Sequence, residues 1–489
     1  MHMLKTVVIV GSGAAGIGAA LTLVDKNYRV ILLEKGDKFG GASMFGAQGL
    51  FAVESKYQTG IDYTVADAYQ ELIDYTHHRS NSRITKAILE KSAETIDWLD
   101  QHGLQTELVN NTQEAHQKKP RTYHQYIDKF NGFNKLIQYF QAKGGRLLTK
   151  TAGKKILMEN GQIIGIQVIR NGTEETIECQ VIIIADGGFI GNKKLVKQHL
   201  TINFNNLYSM GERKATGDGI EMLAKIGADI SQPPLFENHA ASVVSSKNPK
   251  WHNETVFSLT NVPFLWVDSS GKRFTNEDIC YDFALWGNAT YVAGGYYYFL
   301  LDQKIIDYLK ENSLNWTDSF ERTFKTLRHK PMTHKIGPFA KIDSDLAEAI
   351  NENTAWKADN LIDLSKKMMV PINNLNETVK NYNALVATGK DTDLYKADKF
   401  MKFSVGQEPF YAIKACSTSL GTIGGVAVDE KFNVLSPNNR AIPGAFAAGN
   451  TAAGGMYDDS YPTIEGLSCA FAWNSGRLAG EAAEDFLSK

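Results

Sequence analysis

The first forty residues constrain the fold more than any other stretch. Val7-Val8-Ile9-Val10 reads as a buried strand, Gly11-Ser12-Gly13-Ala14-Ala15-Gly16 follows at once, and Val30-Ile31-Leu32-Leu33 reads as a second strand ending at Glu34. Strand, glycine turn, helix and strand in that order specify a β-α-β unit with parallel strands. The first glycine permits the tight turn, the second lets backbone approach a pyrophosphate, and the third lets helix lie against strand. A helix over 14–25 would present unpaired amides and a positive dipole end to the phosphates. Glu34, at the tip of the second strand, is placed to accept hydrogen bonds from ribose hydroxyls. An acid there repels a 2′-phosphate, so FAD or NAD fits better than NADP.

The 489 residues suffice for two or three domains. Charge is nearly balanced, 52 basic against 54 acidic residues, so phosphate neutralisation gives no basis for nucleic-acid binding. Cys179, Cys280, Cys416 and Cys469 are scattered without CxxC or metal-ligand spacing, which argues against a zinc site, attached haem or disulfide scaffold. Gly11, Gly13, Gly16 and Gly18 interrupt the apolar start, unlike a signal peptide. No apolar run reaches the roughly eighteen residues of a membrane helix. The expectation is a soluble cytoplasmic protein with no membrane, nucleic-acid or metal partner.

Downstream, helical periodicity fills roughly 65–102, the aromatic and basic segment Pro120–Tyr126 interrupts it, and another helix spans 131–143. Residues 154–184 read as a meander turning at Asn160-Gly161 and Asn171-Gly172, and its fully apolar last strand, 181–184, belongs in a parallel sheet. From about 237 to 405 aromatic-rich strands alternate with charged helices, as an inserted cap would. Small-residue chemistry then resumes at Pro443–Asn450, and a helix over about 467–485 closes the chain.

Ordered blocks extend this pattern nearly end to end: Gly40-Gly41-x-Ser43, Ala185-Asp186-Gly187-Gly188-Phe189, Thr216-Gly217-Asp218-Gly219, Arg273-Phe274-Thr275-Asn276-Glu277, Gly421–Gly425, Ile442–Gly449 and Ser475–Gly480. With the opening motif they resemble the FAD-dependent fumarate reductase, succinate dehydrogenase flavoprotein and 3-ketosteroid dehydrogenase superfamily. The resemblance implies an α/β fold: a discontinuous Rossmann-like FAD-binding domain, 1–236 and 406–489, with an α+β capping domain, 237–405, inserted. It also implies an FAD-dependent oxidoreductase acting on a CH–CH or C=C bond beside a carbonyl.

Locally, Gly41, Ala42, Ser43, Ala47, Gln48 and Gly49 lack the bulk to keep backbone amides from a diphosphate and a flavin edge. With Gly11, Gly13, Ala14, Ala15, Gly16, Glu34 and Lys35 they form the expected cofactor set. The resemblance adds Gly153, Ala185, Gly187, Asp218, Gly449 and Asn450, with Leu467 and Ser468 at the pyrimidine end of the flavin. The His-Thr segment that carries covalent flavin in succinate dehydrogenases is missing, so FAD is expected to be dissociable.

The departures from the superfamily separate its chemistries. The cations that clamp a dicarboxylate in fumarate reductases fall here at Tyr281, about Gly421 and near Thr463, and His239 lacks its Pro-Thr partner. A doubly charged substrate needs fixed cations to offset its desolvation, so fumarate fits poorly. A Tyr four residues after Asn276-Glu277 and another in Ser460-Tyr461 resemble the ketosteroid dehydrogenase arrangement instead. That resemblance implies Tyr281 as the proton-exchanging group and Tyr461 as hydrogen-bond donor to a carbonyl, with Tyr123 as a third tyrosine. Arg121 or His124 would be the nearby cation lowering a phenol's pKa. Tyr457, Asp458 and Asp459 are candidates for lining the same pocket or for capping the turn, and Glu465 for a polar contact. The alternatives are a reductase of a small acrylate-type carboxylate anchored by Arg121 or Arg213, and a flavin-carrying electron-transfer subunit. Substrate, direction, oligomeric state and electron partner are left open.

Overall fold

Apolar runs with no polar face must be covered on both sides, and the chain stacks three of them together. In the computed structural model, which describes residues 5–232, 234–314, 316, 336–457 and 461–489, Thr6–Val10 pairs in parallel with Arg29–Leu33 on one edge and Val181–Ile184 on the other, Val7 opposite both Val30 and Val181. Arg146–Leu148 extends one end of this six-stranded sheet, and Ala441–Ala447 with the antiparallel Asn433–Leu435 extends the other. The sheet is therefore assembled from both ends of the sequence.

Helix Ala14–Val24 is buried along nearly its whole length, and Leu21, Leu23 and Val24 each add about 1.5–3 kcal/mol of burial. Helix Leu467–Ser488 packs directly on it. A Cβ on Gly476 would stand 2.1 Å from the Ala15 carbonyl oxygen, so the small-residue texture of the last helix is a requirement of that close approach. The periodic stretch 65–102 divides into helices Val65–Tyr75, Ser82–Glu90 and Ser92–Gln101. The first break falls at His77 and His78, both with left-handed φ.

A second sheet is organised around Phe410–Ile423, which pairs with Leu207–Ser209, Leu235–Ser242, Tyr296–Asp302 and Ala355–Ala358. Its apolar core is separate from the first and contains the stacked rings of Trp266 and Tyr297, 4.3 Å apart. Residues 237–405 supply most of that core, and its longest strand comes after them. Arg273 is fixed by Glu277 and Asp391 at 2.7 Å each, which ties the two ends of the Arg-Phe-Thr-Asn-Glu block to each other.

Two smaller sheets complete the frame. Thr151–Glu159, Gln162–Arg170 and Thr173–Glu178 form the meander, with Asn160, Gly161, Asn171 and Gly172 all at positive φ in its two turns. The aromatic segment near 120 becomes strand Tyr123–Tyr126, between Gly49–Phe51 and Thr106–Leu108. Among the described residues, no helix is long and apolar enough to cross a membrane.

Candidate active site

The first β-turn-α junction opens into a cleft of about 790 Å³ that extends from Glu34 to the second sheet. Gly11, at φ +104°, turns so tightly that a Cβ would meet the Ala185 carbonyl oxygen at 2.3 Å. At Gly13, by contrast, an added Cβ would meet nothing within 4 Å, so this point of the turn faces open space at the helix N-terminus, where the Ala14 amide donates to Ser43 Oγ at 3.3 Å. That combination fits a pyrophosphate.

Glu34 closes one end of the cleft. It accepts from Ser12 Oγ at 2.6 Å, the Gly36 amide at 2.7 Å and Lys214 Nζ at 3.2 Å. Lys35 Nζ reaches Thr216 Oγ1 at 2.5 Å and Asp218 Oδ2 at 2.8 Å. Burial acts to raise the Asp218 pKa, and the hydrogen bond and charge of Lys35 outweigh it, leaving the carboxyl below its usual range. Lys35, Arg213 and Lys214 are the only lysines or arginines among the described residues lining the cleft; Lys35 pairs with Asp218, and Lys214 with Glu34 and Glu212.

Of the expected cofactor residues, all but Gly16 and Leu467 line the cleft. Those two act behind it. A Cβ on Gly16 would strike the Gly11 carbonyl oxygen at 1.8 Å, and Leu467 is fully buried at the start of the last helix. Ser468, in the first turn of that helix, does face the cleft.

The opposite end combines side chains from distant segments. Glu237, on strand Leu235–Ser242, accepts from Ser468 Oγ at 2.9 Å and from Asn450 Nδ2 at 3.1 Å. Burial raises its pKa, the two hydrogen bonds partly offset this, and the carboxyl lies at about 7. Two residues on, His239 is held neutral by burial, at about 4. Its ring meets Phe283 and Tyr461 edge-on, at 5.1 and 6.3 Å. Burial, reinforced by Glu237, pushes the Tyr461 phenol well up, and burial does the same to Tyr123.

Glu465 forms the remaining wall. It accepts from the Thr112 amide and hydroxyl at 2.8 Å each, from the Gln113 amide at 2.9 Å and from His116 Nδ1 at 3.1 Å. Burial favours its neutral form, but His116 and the two amides prevail and hold it below the usual carboxylate range. His116 Nε2 contacts Asp282 Oδ2 at 3.0 Å, so one buried imidazole joins the 112–116 loop and Glu465 to the start of cap helix Phe283–Val292. Burial disfavours its charge, yet the two carboxylates raise the ring to about 9. Beside it a hollow of about 20 Å³, lined by Glu71, Lys119 and the unpartnered Asn111 Oδ1, has room for one water.

Several expectations need correction. Tyr281 does not line the cleft: the turn Glu277–Tyr281 directs it into the apolar cap core, against Phe400 at 5.2 Å. Tyr123 and Tyr461 do line it. His124 supplies no cation to a phenol. It is buried, neutral at about 4, and bonded to Ser55 Oγ at 2.7 Å and the Thr122 carbonyl oxygen at 3.0 Å. Arg121 is exposed and outside the cleft wall, whereas Arg213 lines the cleft next to Glu212 and Lys214. Asp458 and Asp459 lie outside the described residues. Sequence reasoning missed Glu237, and for His116 and Asp282 no spacing signal exists because their partners are distant in the chain.

The sequence profile of a family described as "FAD binding domain" matches residues 6–461. The chain belongs to that family. This flavoprotein is 29% identical to a vinyl phenol reductase of Lactiplantibacillus plantarum over 99% of its own length and 97% of that protein's. It is 25% identical to an NADH:acrylate oxidoreductase of Vibrio harveyi, over 98% of this chain and 50% of that longer protein. Its fold is that of a 3-ketosteroid Δ1-dehydrogenase from Sterolibacterium denitrificans, with a TM-score of 0.77 at 19% identity, covering 99% and 100% of the two chains. It is an FAD-dependent oxidoreductase of the class that acts on carbon–carbon single or double bonds.

Proposed function

We propose that this flavoprotein reduces a neutral alkene conjugated to an oxygen substituent, with hydroxystyrenes as the leading substrate class. The observation that carries this reading is the charge distribution of the cleft. Lys35 and Lys214, two of the three lysines and arginines lining it among the described residues, are held at the Glu34 end, and the other end offers phenols, a neutral imidazole and two carboxyls. A buried carboxylate without a cation costs several kcal/mol, so fumarate or acrylate has no match there. A phenol can donate its hydroxyl hydrogen bond to a neutral imidazole or a carboxylate. The similarity to a vinyl phenol reductase along the full length supports the same class.

Bound FAD in its two-electron-reduced form would supply the hydride. Saturating the alkene also requires one proton on the second carbon. Tyr461 is assigned that delivery, because its buried phenol stays protonated at neutral pH. His239, neutral and adjacent to Tyr461, accepts the hydrogen bond of the substrate hydroxyl and thereby pushes electron density toward the carbon being protonated. Tyr123 and Phe283 shape the pocket around the substrate ring.

The test is anaerobic reoxidation of dithionite-reduced holoenzyme by a panel of 4-vinylphenol, a cyclic enone, acrylate and fumarate. Neutral hydroxystyrenes are expected to react at least a hundredfold faster than either carboxylate. Fastest reoxidation by acrylate or fumarate would overturn the assignment.

A further inference from the structure

Glu237 is a carboxyl in an unusual position. It is 4% exposed, and among the described residues its hydrogen-bond partners are both neutral, the Ser468 hydroxyl and the Asn450 amide. No lysine, arginine or histidine ion-pairs with it among those residues, in contrast to Glu465 on the facing wall. The titratable groups near it are His239 on its own strand, Tyr457 and Tyr461 on the returning segment, and Cys469 beside Ser468, while the paired strand Phe410–Ile423 brings the non-titratable Thr422 and Ser419 opposite Phe236 and Asn238. Burial makes His239 neutral and raises the phenols and the thiol, so none of them supplies a countercharge at neutral pH.

Space is reserved for this carboxyl. Gly421 lies opposite, and a Cβ there would come within 2.3 Å of Glu237 Oε2. Asn450 follows Gly449, whose own Cβ would stand 3.0 Å from Ala15 in the dinucleotide turn, so Glu237 is linked through one side chain to the cofactor cradle. Through Ser468 it is linked to the first turn of the last helix, which also lines that cradle.

We propose that Glu237 is a positioning residue that couples flavin reduction to proton uptake, binding one solvent proton at its carboxylate for every two electrons the cofactor receives. The electrons come from the reductant, and the new bond is the O–H of the carboxyl, formed in addition to any proton the cofactor binds itself. The driving force is electrostatic. Added negative charge on a neighbour in a desolvated cleft disfavours a carboxylate that has no cation. A resting carboxyl near neutrality is the state from which such coupling can operate, since a fully ionised or fully protonated group would respond little. This inference rests on FAD binding and is independent of which alkene is the substrate.

The experiment is a spectroelectrochemical titration of the FAD-loaded protein between pH 6 and 9, wild type against Glu237→Gln, with no substrate present. One extra proton per two electrons changes the equilibrium tenfold per pH unit. For a two-electron couple this makes the wild-type midpoint potential fall about 30 mV per pH unit more steeply than that of the variant above pH 7. Superimposable slopes would overturn the proposal. A second readout uses unmodified protein labelled with ¹³C-glutamate, in which the reduced-minus-oxidised infrared spectrum at pH 8 should gain an isotope-shifted protonated-carboxyl band. Absence of that band refutes the coupling even if the glutamine variant fails to hold FAD. Where the band is present and that variant fails, Ser468→Ala must move the break in slope to higher pH, and an unmoved break refutes the assignment to Glu237.

Discussion

Replacing His116 by glutamine isolates what holds the cap against the flavin domain. The imidazole is 3% exposed and bridges Asp282 at 3.0 Å and Glu465 at 3.1 Å, so both of its nitrogens face carboxylates. Displacement from 6.5 to about 9 corresponds to about 3.5 kcal/mol at about 1.4 kcal/mol per pH unit. Because the folded value is the higher one, this contribution is complete below about pH 6.5 and disappears as pH rises through about 9. Glu71 and Lys119, across the small hollow, are paired with each other at 2.7 Å and so offer little net charge to replace the lost cation. The assay is hydrogen exchange of the Thr112, Gln113, Phe283 and Leu285 amides, all of which donate to side chains of this network or its neighbours. Relative to unstructured peptide at the same pH, wild-type protection should fall by about two orders of magnitude between pH 7 and 10, the equivalent of about 3 kcal/mol. Glutamine should give low protection throughout, since removing one member of a buried charge cluster costs about 3–5 kcal/mol. Flat wild-type protection across that range, or a variant indistinguishable from wild type at pH 7, would refute the reasoning.

Other outcomes follow from the same geometry. Tyr461→Phe should lower alkene turnover by about 10²–10⁴-fold with FAD retained, whereas Tyr281→Phe, a change inside the cap core, should stay within a few-fold; steady-state kinetics with the reverse pattern would restore Tyr281 to the site. Glu34→Ala, which removes the acceptor for Ser12, Gly36 and Lys214, should weaken FAD binding by about 10- to 100-fold, the equivalent of about 1.5–3 kcal/mol. Fluorescence titration of apoprotein reads this directly, and an unchanged Kd would exclude a role for the acid in holding the ribose. Acid precipitation of the holoenzyme should leave all flavin in the supernatant; yellow colour in the pellet would mean a covalent attachment that the sequence does not suggest.

The parts of this protein that depend on neighbours along the chain are legible in the sequence alone. Gly11 through Gly16, Glu34, the hairpin dipeptides and the apolar strands act through local dihedrals, close backbone approach and periodicity, and those are written in consecutive residues. The tyrosines were only partly legible: of the expected pair Tyr281 and Tyr461, only Tyr461 lines the cleft, together with the third candidate Tyr123, because the direction of a side chain leaving the turn Glu277–Tyr281 depends on which core covers it. The charge states of the site were not legible at all. Glu237 and Ser468 are 231 positions apart, and His116 and Glu465 are 349 apart. Sequence by itself determined a dinucleotide cradle and the class of cofactor it holds. Tertiary structure decided which carboxyl is ionised, which imidazole is charged and which phenols line the cleft, because desolvation and ion pairing depend on what the fold brings together from far along the chain.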